Sequence, residues 1–245
     1  MPHPHALAIH RICNERGINT LIHFTRIQNL RSILQQGLLG RYLLEQLPVE
    51  HQPVFNDSKR LDGCRQAICL SISFPNYRMF YKYNHNNPSN WVVLLLKASV
   101  LWELDCAFCV ENAASTRISN SLIETRKQAQ SLLQMFSDYE RIQRQDLHIP
   151  INYPTHPQSE VLVLEAIPTH YLSAVHFYNE FVGRQWLTTN IGILSEPYLR
   201  NSDSQFFYSS QQYFKPRQDW RTWQSHYANV GSSQADTSVP NEISF

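Results

Sequence analysis

Glycine is scarce in this chain of 245 residues, which contains 7 glycines in all. Rossmann-type and P-loop phosphate sites need several glycines at fixed spacing, and neither G-x-G-x-x-G nor G-x-x-x-x-G-K occurs. Long apolar runs are lacking too. The longest covers residues 91–96, far below the roughly 18 residues of a membrane span. These two nucleotide-binding motifs are therefore excluded, and no membrane segment is predicted.

An excess of charge of one sign is also missing. The chain has 21 Lys and Arg against 20 Asp and Glu, a net charge of +1, which excludes a tail-like polybasic binder of nucleic acid. The charges are nevertheless segregated, because residues 11–97 hold 11 basic and 5 acidic residues whereas residues 98–182 hold 5 and 10. A polyanion is expected to contact the first third of the chain.

The five cysteines are an odd number, which is unusual where disulfides form. They predict a reduced, cytoplasmic location. Cys106 and Cys109 form a C-x-x-C, but a zinc site needs four ligands and no second pair is suitably spaced. We interpret the pair as small buried thiols, with a redox pair as the alternative, and predict no metal.

Apolar residues make up 42% of the chain, enough for a folded core. We predict a leader at 1–18 that holds a short helix, one domain at 19–227 and a disordered tail at 228–245. Strands are expected at 21–25, 67–73, 91–96, 161–164 and 172–178, with helices at 26–37 and 121–139 and a long loop at 45–66.

His23, Phe24 and Thr25 lie at the end of the first predicted strand. Residues two apart share a strand face, so His23 and Thr25 can together hydrogen-bond the ribose and amide of a nucleotide at the start of the following helix. The alternative is a packed histidine followed by a helix-capping threonine.

Two loops hold further candidates. Residues 55–63 carry consecutive polar side chains of both signs, which suit either a solvated turn or a site where an arginine binds phosphate. Glu160 opens an apolar strand behind the proline-bounded stretch 153–159. A carboxylate there is costly unless it is paired or catalytic, although it could also protect a strand edge.

Aromatic residues alternate with Arg and Lys in two segments, at 77–83 and 213–221. Such alternation suits stacking on unpaired bases together with phosphate contacts. It is equally typical of ordinary aromatic packing covered by basic side chains.

The order of these pieces is more specific than any one of them. The series runs H-F-T-R-I-Q-N-L-R-S-I-L-Q-Q-G-L-L, N-D-S-K-R-L-D-G, L-S-I-S-F-P-N-Y-R-M-F-Y, W-V-V-L-L-L and Y-P-T-H-P-Q-S-E-V-L-V. Over residues 20–222 it resembles the DarT family of DNA ADP-ribosyltransferase toxins. The resemblance implies an α+β ADP-ribosyltransferase fold, with a split, mostly antiparallel β-sheet flanked by helices and NAD⁺ in the cleft.

The resemblance also implies roles for single residues. NAD⁺, the co-substrate, would be held by His23, Phe24 and Thr25, by the Asn29 to Gly40 segment, and by Asp57 and Arg60. Glu160 and Arg60 would be catalytic. Single-stranded DNA would be contacted by the following side chains: Tyr77, Arg78, Lys82, Tyr153, His156 and Gln158.

The implied activity is transfer of ADP-ribose from NAD⁺ to a base of single-stranded DNA, reversed by an antitoxin macrodomain of the DarG type. The stretch 74–81 resembles one branch of the family, so thymine and guanine both remain open as the modified base. RNA or protein as the target, NAD⁺ hydrolysis, and a non-catalytic nucleic-acid-binding module are the alternatives.

Overall fold

A computed structural model describes residues 5–48, 53–55, 63–190, 192 and 206–233. The strands are β1 (Thr20–Arg26), β2 (Ile68–Ile72), β3 (Trp91–Lys97), β4 (Cys106–Cys109), β5 (Glu160–Val163), β6 (Leu172–Phe177) and β7 (Phe207–Ser209). The helices are α1 (Ala6–Arg16), α2 (Leu30–Gln36), α3 (Arg41–Leu44), α4 (Tyr77–Asn84), α5 (Val100–Glu103), α6 (Thr116–Ser119), α7 (Ile123–Arg126), α8 (Ala129–Gln134), α9 (Glu180–Asn190) and α10 (Trp220–Ser233).

The strands form one sheet in the order β4-β5-β2-β1-β3-β6-β7. Neighbouring strands are antiparallel except β6 and β7, which are parallel. Helices flank this sheet. The predicted α+β class with a mostly antiparallel sheet is confirmed.

The sheet splits between β1 and β2. Strand β1 pairs with β3 along its whole length, from Thr20 to Arg26, but pairs with β2 only at Leu21 and Ile22. Beyond Ile22 the two strands separate, and His23 Nδ1 lies 3.0 Å from the carbonyl oxygen of Cys69 across the gap. This hydrogen bond from a side chain joins the two strands where their backbone pairing has ended.

The main core covers one face of the sheet and includes the first helix. Ile9, Ile12 and Cys13 of α1 are buried with β-sheet residues such as Leu21 and Leu94. The segment predicted as a leader is therefore packed into the domain from residue 6 onward. Its apolar positions repeat every three or four residues, which is how a helix presents one buried face.

Two glycines allow close backbone contacts next to α2. Gly37 has φ +83°, and a Cβ there would lie 2.2 Å from the carbonyl oxygen of Ile167. A Cβ on Gly40 would lie 2.0 Å from the carbonyl oxygen of Gln66. Neither position has room for a side chain. The backbone of residues 37–40 therefore lies directly against the backbone of Ile167 at one end and of Gln66 at the other.

Several predicted elements differ in the structure. The helix expected at 121–139 is broken into α7 and α8, because Gln128 between them is extended (φ −79°, ψ 149°). Residues 77–83, which we described only as an alternation of aromatic and basic side chains, belong to α4. In the predicted disordered tail, helix α10 continues to Ser233, and residues 234–245 lie outside the described part.

No helix in the described part of the chain is both long and apolar enough to cross a membrane.

Candidate active site

Glu160 is the first residue of β5, and its side chain is held from two sides. Its Oε1 accepts a hydrogen bond from Asn76 Nδ2 at 3.2 Å, and its Oε2 accepts one from the backbone N–H of Ala113 at 2.8 Å. The residue is only 6% exposed. A carboxylate that is buried and bonded by fixed donors has a defined orientation, as a catalytic carboxylate requires.

Asn76, which the sequence did not single out, links this carboxylate to α4. Its side-chain oxygen caps the helix by accepting a hydrogen bond from Met79 N. The backbone N–H of Asn76 donates to Ser71 Oγ at 3.0 Å. The amide therefore points its nitrogen at Glu160 and its oxygen at the helix. An Asn directly before a helical segment was the available signal, but only the fold shows that Glu160 lies beside it.

A second polar cluster supports the Ala113 loop. Glu111 is buried and accepts hydrogen bonds from Ser115 Oγ at 2.8 Å, from Arg117 Nε at 3.0 Å and from the Tyr139 hydroxyl. Burial and the bond to Glu111 raise the pKa of Tyr139. The loop that presents the Ala113 N–H to Glu160 is thus fixed by a neighbouring network.

The His23–Thr25 stretch lies in β1 on the other side of the split. His23 and Thr25 share one face of the strand, and Phe24 on the opposite face stacks on Phe80 with ring centroids 4.5 Å apart. Thr25 is buried, and its Oγ1 accepts from Asn29 Nδ2 at 3.0 Å instead of capping a helix. The shared face that the alternation predicted is therefore present in β1, beside the split.

Asn29 and Gly40 have structural roles in this part of the chain. The Asn29 side chain donates to both Thr25 Oγ1 and the Val54 carbonyl, and its oxygen accepts from Val54 N at 2.9 Å. Its polar groups thus anchor the strand end to the long loop, and Gly40 is required by the approach of Gln66. These contacts do not test the cofactor contacts predicted for the two residues.

Asp57 and Arg60, predicted to bind the cofactor and in the case of Arg60 to act in catalysis, lie outside the described residues.

The stretch 153–159, here called the substrate loop, precedes Glu160 and carries three predicted DNA contacts. The Tyr153 ring packs against Phe74 with centroids 5.5 Å apart. His156 is buried, whereas Gln158 is half-buried and accepts from Arg78 Nη1 at 3.4 Å. The burial of His156 does not fit direct contact with DNA, because its ring packs against Tyr139 and Trp223.

Helix α4 adds the remaining predicted contacts. Tyr77 is 7% exposed, and burial raises the pKa of its phenol, so its ring is not presented for the base stacking that we predicted. Arg78 lies over the ring of Tyr227, 3.6 Å from the centroid, and Lys82 is exposed. The aromatic partner of this basic helix face is thus supplied by α10.

The Cys106–Cys109 pair forms the buried strand β4. Burial raises the pKa of the Cys109 thiol to about 12, although Arg126 Nη1 donates to its sulfur at 3.3 Å. Neither Cys106 nor Cys109 forms a disulfide in the described part of the chain. In the described ranges, no group of three or more His, Cys, Asp or Glu side chains is placed to hold a metal ion.

Comparison with solved structures supports the fold. The chain aligns with Thermus sp. 2.9 DarT in complex with NAD⁺ at a TM-score of 0.51 and 17% identity, over 80% of this chain and 96% of that one. It aligns with Thermus sp. 2.9 DarT in complex with ADP-ribosylated single-stranded DNA at 0.51 and 14% identity, with the same coverage. Thermosipho africanus DarTG in complex with ADP-ribose gives 0.51 and 15% identity over 80% of this chain. The match spans about half (51%) of that longer DarTG chain.

No curated protein matches the chain. A family model does: the model described as "ssDNA thymidine ADP-ribosyltransferase, DarT" matches residues 22–207. These residues include the split between β1 and β2, the Asn76 contact and Glu160, and they make up most of the sequence. The chain belongs to the DarT family of single-stranded-DNA ADP-ribosyltransferases.

Proposed function

We propose that this chain carries out the reaction of its family, transfer of ADP-ribose from NAD⁺ to a base of single-stranded DNA with release of nicotinamide, and that Glu160 is its catalytic carboxylate. The observation that carries the proposal is the geometry of Glu160. It is the first residue of β5, is buried, and is bonded by Asn76 and by the backbone of Ala113.

The chemistry requires such a group. Cleavage of the bond between nicotinamide and ribose passes through a state with positive charge on the ribose ring, as in glycoside hydrolysis. A fixed carboxylate that accepts a hydrogen bond from a ribose hydroxyl stabilises that charge more than it stabilises the ground state. Each carboxylate oxygen has two acceptor positions, so Glu160 can keep its Asn76 and Ala113 bonds while it accepts a further one.

We place NAD⁺ at the split between β1 and β2, on the face of β1 that carries His23 and Thr25. Binding of NAD⁺ by the structurally similar Thermus sp. 2.9 DarT supports this choice. Asp57 and Arg60 are proposed to contact the cofactor, and we assign Arg60 to orienting the base and the pyrophosphate. A guanidinium is almost always protonated, which suits orientation better than proton removal.

The DNA side is assigned to the substrate loop and the exposed face of α4. Gln158, Arg78 and Lys82 are proposed to contact the strand directly, with Tyr153 at the edge of the site. We take thymine as the first candidate base, since the family model names thymidine. Guanine is kept as the second, because residues 74–81 resemble a different branch of the family.

We further propose an antitoxin partner of the DarG type, whose macrodomain would remove the ADP-ribose. The similarity to Thermosipho africanus DarTG supports a partner of this kind. The reaction would take place in the cytoplasm, where NAD⁺ and single-stranded DNA are both present.

The test is incubation with NAD⁺ and short single-stranded oligonucleotides that each contain one type of base, read by mass spectrometry. We expect the mass of one ADP-ribose on the thymine oligonucleotide and none on matched RNA. A shift on guanine alone would move the assignment to the second base. Consumption of NAD⁺ without any modified oligonucleotide would favour hydrolysis or a protein target, and no consumption would favour a non-catalytic binding module.

A further inference from the structure

Residues 213–227, which lie beyond the family match at 22–207, pack directly against the substrate loop. We infer that this C-terminal segment is a brace for the substrate loop, and that Arg217 and Tyr227 are positioning residues for the DNA half of the reaction. The inference rests on the proposed function, because it assigns the loop to DNA.

Arg217 holds the start of the loop. Its guanidinium donates to the carbonyl oxygens of Pro154 at 2.8 Å and Thr155 at 2.7 Å. The same group pairs with both carboxylate oxygens of Asp219, at 2.7 and 2.6 Å, and Asp219 also accepts from Trp223 Nε1 at 2.9 Å. The Arg217 and Asp219 side chains are 3% and 1% exposed.

A buried, paired guanidinium is a poor choice for stability alone, since well-packed apolar residues often do as well. What this pair adds is geometry. Planar Arg217 fixes two successive carbonyls five and six residues before Glu160, while Thr155 N donates to the Met135 carbonyl and Thr155 Oγ1 accepts from Arg144 Nη1 at 3.0 Å. The loop is therefore fixed from several directions where it approaches the carboxylate.

Tyr227 holds the middle of the loop through His156. The Gln158 backbone N–H can only donate, and it lies 3.2 Å from His156 Nδ1, so that nitrogen is the acceptor. Burial holds the pKa of His156 well below its usual value, which keeps the ring neutral with its proton on Nε2. That nitrogen lies 2.9 Å from the Tyr227 oxygen and donates to it.

The chain of bonds ends on the residue proposed to contact DNA. Having accepted from His156, the Tyr227 hydroxyl donates to Gln158 Oε1 at 3.3 Å, and the same oxygen accepts from Arg78. Arg78 in turn lies flat over the Tyr227 ring. The position of the Gln158 amide and of the Arg78 guanidinium is therefore set by α10, and DNA contacts depend on a helix outside the matched region.

The experiment compares the full-length protein with Tyr227→Phe and Arg217→Lys. Tyr227→Phe removes the bonds to His156 and Gln158 but keeps the ring under Arg78. Tyr178→Phe is the matched control, because this half-buried tyrosine packs on Phe214 through its ring, and phenylalanine keeps that ring. Steady-state kinetics give KM for NAD⁺ and for the oligonucleotide, and the fraction of released nicotinamide that ends as modified DNA.

We expect Tyr227→Phe and Arg217→Lys to raise the oligonucleotide KM by at least about three- to tenfold, the effect of a single hydrogen bond, and to lower the transferred fraction. KM for NAD⁺ should stay as in the wild type, and Tyr178→Phe should match the wild type throughout. Equal oligonucleotide KM and equal transferred fraction in Tyr227→Phe would overturn the inference. So would parallel changes in both KM values, which a merely structural role would produce.

Hydrogen exchange separates this inference from the proposed function. Backbone amides of residues 154–159 should exchange faster in Tyr227→Phe than in the wild type or Tyr178→Phe. If the wild type modified no DNA, the proposed function would fail, yet faster exchange would still support the brace. Unchanged exchange in active Tyr227→Phe would remove the brace and leave the proposed function intact.

Discussion

Asn76 and Glu160, 84 residues apart in the chain, are joined by a hydrogen bond of 3.2 Å between the amide nitrogen of one and Oε1 of the other. The same asparagine caps α4 with its oxygen. One side chain thus connects the proposed catalytic carboxylate to the helix proposed to bind DNA.

These two roles of Asn76 can be separated by mutation. Asn76→Ala loses both the cap and the bond to Glu160, so we expect it to cost about 1–2 kcal/mol of stability and most of the transferase activity. Asn76→Ser retains a capping oxygen but is too short to donate to Glu160. It should recover much of the thermal stability while its kcat stays as low as that of the alanine variant. Wild-type kcat in Asn76→Ser would show that the contact with Glu160 is dispensable.

Gly40 provides a test between a structural and a cofactor role. A methyl group there would meet the Gln66 carbonyl oxygen at 2.0 Å, so Gly40→Ala should destabilise the fold by about 1–3 kcal/mol, as overpacking does. Thermal unfolding with and without NAD⁺ measures it. We expect a lower Tm with the stabilisation by NAD⁺ retained. An unchanged Tm with weakened NAD⁺ binding would instead favour direct contact with the cofactor.

His176 should make stability depend on pH. Burial lowers its pKa to about 4, and its Nδ1 has no hydrogen-bond partner. In the unfolded state His176 takes up a proton near pH 6.5, whereas in the folded state it stays neutral until about pH 4. Its contribution to the free energy of unfolding is therefore fully present above pH 6.5 and is lost as pH falls toward 4. The slope from this group approaches about 1.4 kcal/mol per pH unit.

Denaturant unfolding between pH 7 and 4.5 tests this in His176→Phe. Phenylalanine keeps the stacking on Tyr208, whose ring centroid lies 4.9 Å away, and removes the titrating group. The variant should lose less stability than the wild type over this range. Equal slopes would mean that His176 does not titrate differently in the two states. His156 contributes in the same direction, since its pKa is also lowered by burial.

Whether a feature could be predicted from the sequence depended on how far apart in the chain the contacting residues lie. Strand alternation placed His23 and Thr25 on one face, and Glu160 at the start of an apolar strand, because both are local patterns. The bond between Asn76 and Glu160 and the contact of Arg217 with the substrate loop join residues more than 60 positions apart. No periodicity encodes such pairs, and they arise only when the start of α4, β5 and the segment before α10 come together in the fold.

Burial explains the other differences. Tyr77 and His156 belong to aromatic or polar motifs that suggest nucleic-acid contacts, but both side chains lie inside the protein. The sequence cannot distinguish the face of α4 that packs on the core from the face that carries Lys82, because aromatic residues occur on both. The sequence likewise does not show that the apolar face of α1 packs on the core of the domain.

DNA binding should be weakly dependent on salt, since the net charge is near zero and the basic face is small. Removing one phosphate contact with Lys82→Ala should reduce the slope of log K against log salt by about 0.7 for a single strand. Lys97→Ala is the matched control. This exposed lysine is the last residue of β3, whereas α4 packs on Trp91, the first residue of that strand. A slope of about −10, typical of a repressor with many phosphate contacts, would contradict a short footprint.

The most direct test of Glu160 is the transfer reaction of Glu160→Gln. Glutamine keeps an oxygen acceptor for Asn76 or Ala113 but lacks the charge that stabilises the developing positive ribose. Calorimetry should find NAD⁺ binding close to that of the wild type. Mass spectrometry should find the ADP-ribose adduct on a thymine-containing oligonucleotide with the wild type and none with the variant. An adduct formed at the wild-type rate by Glu160→Gln would contradict the assignment of Glu160 as the catalytic carboxylate.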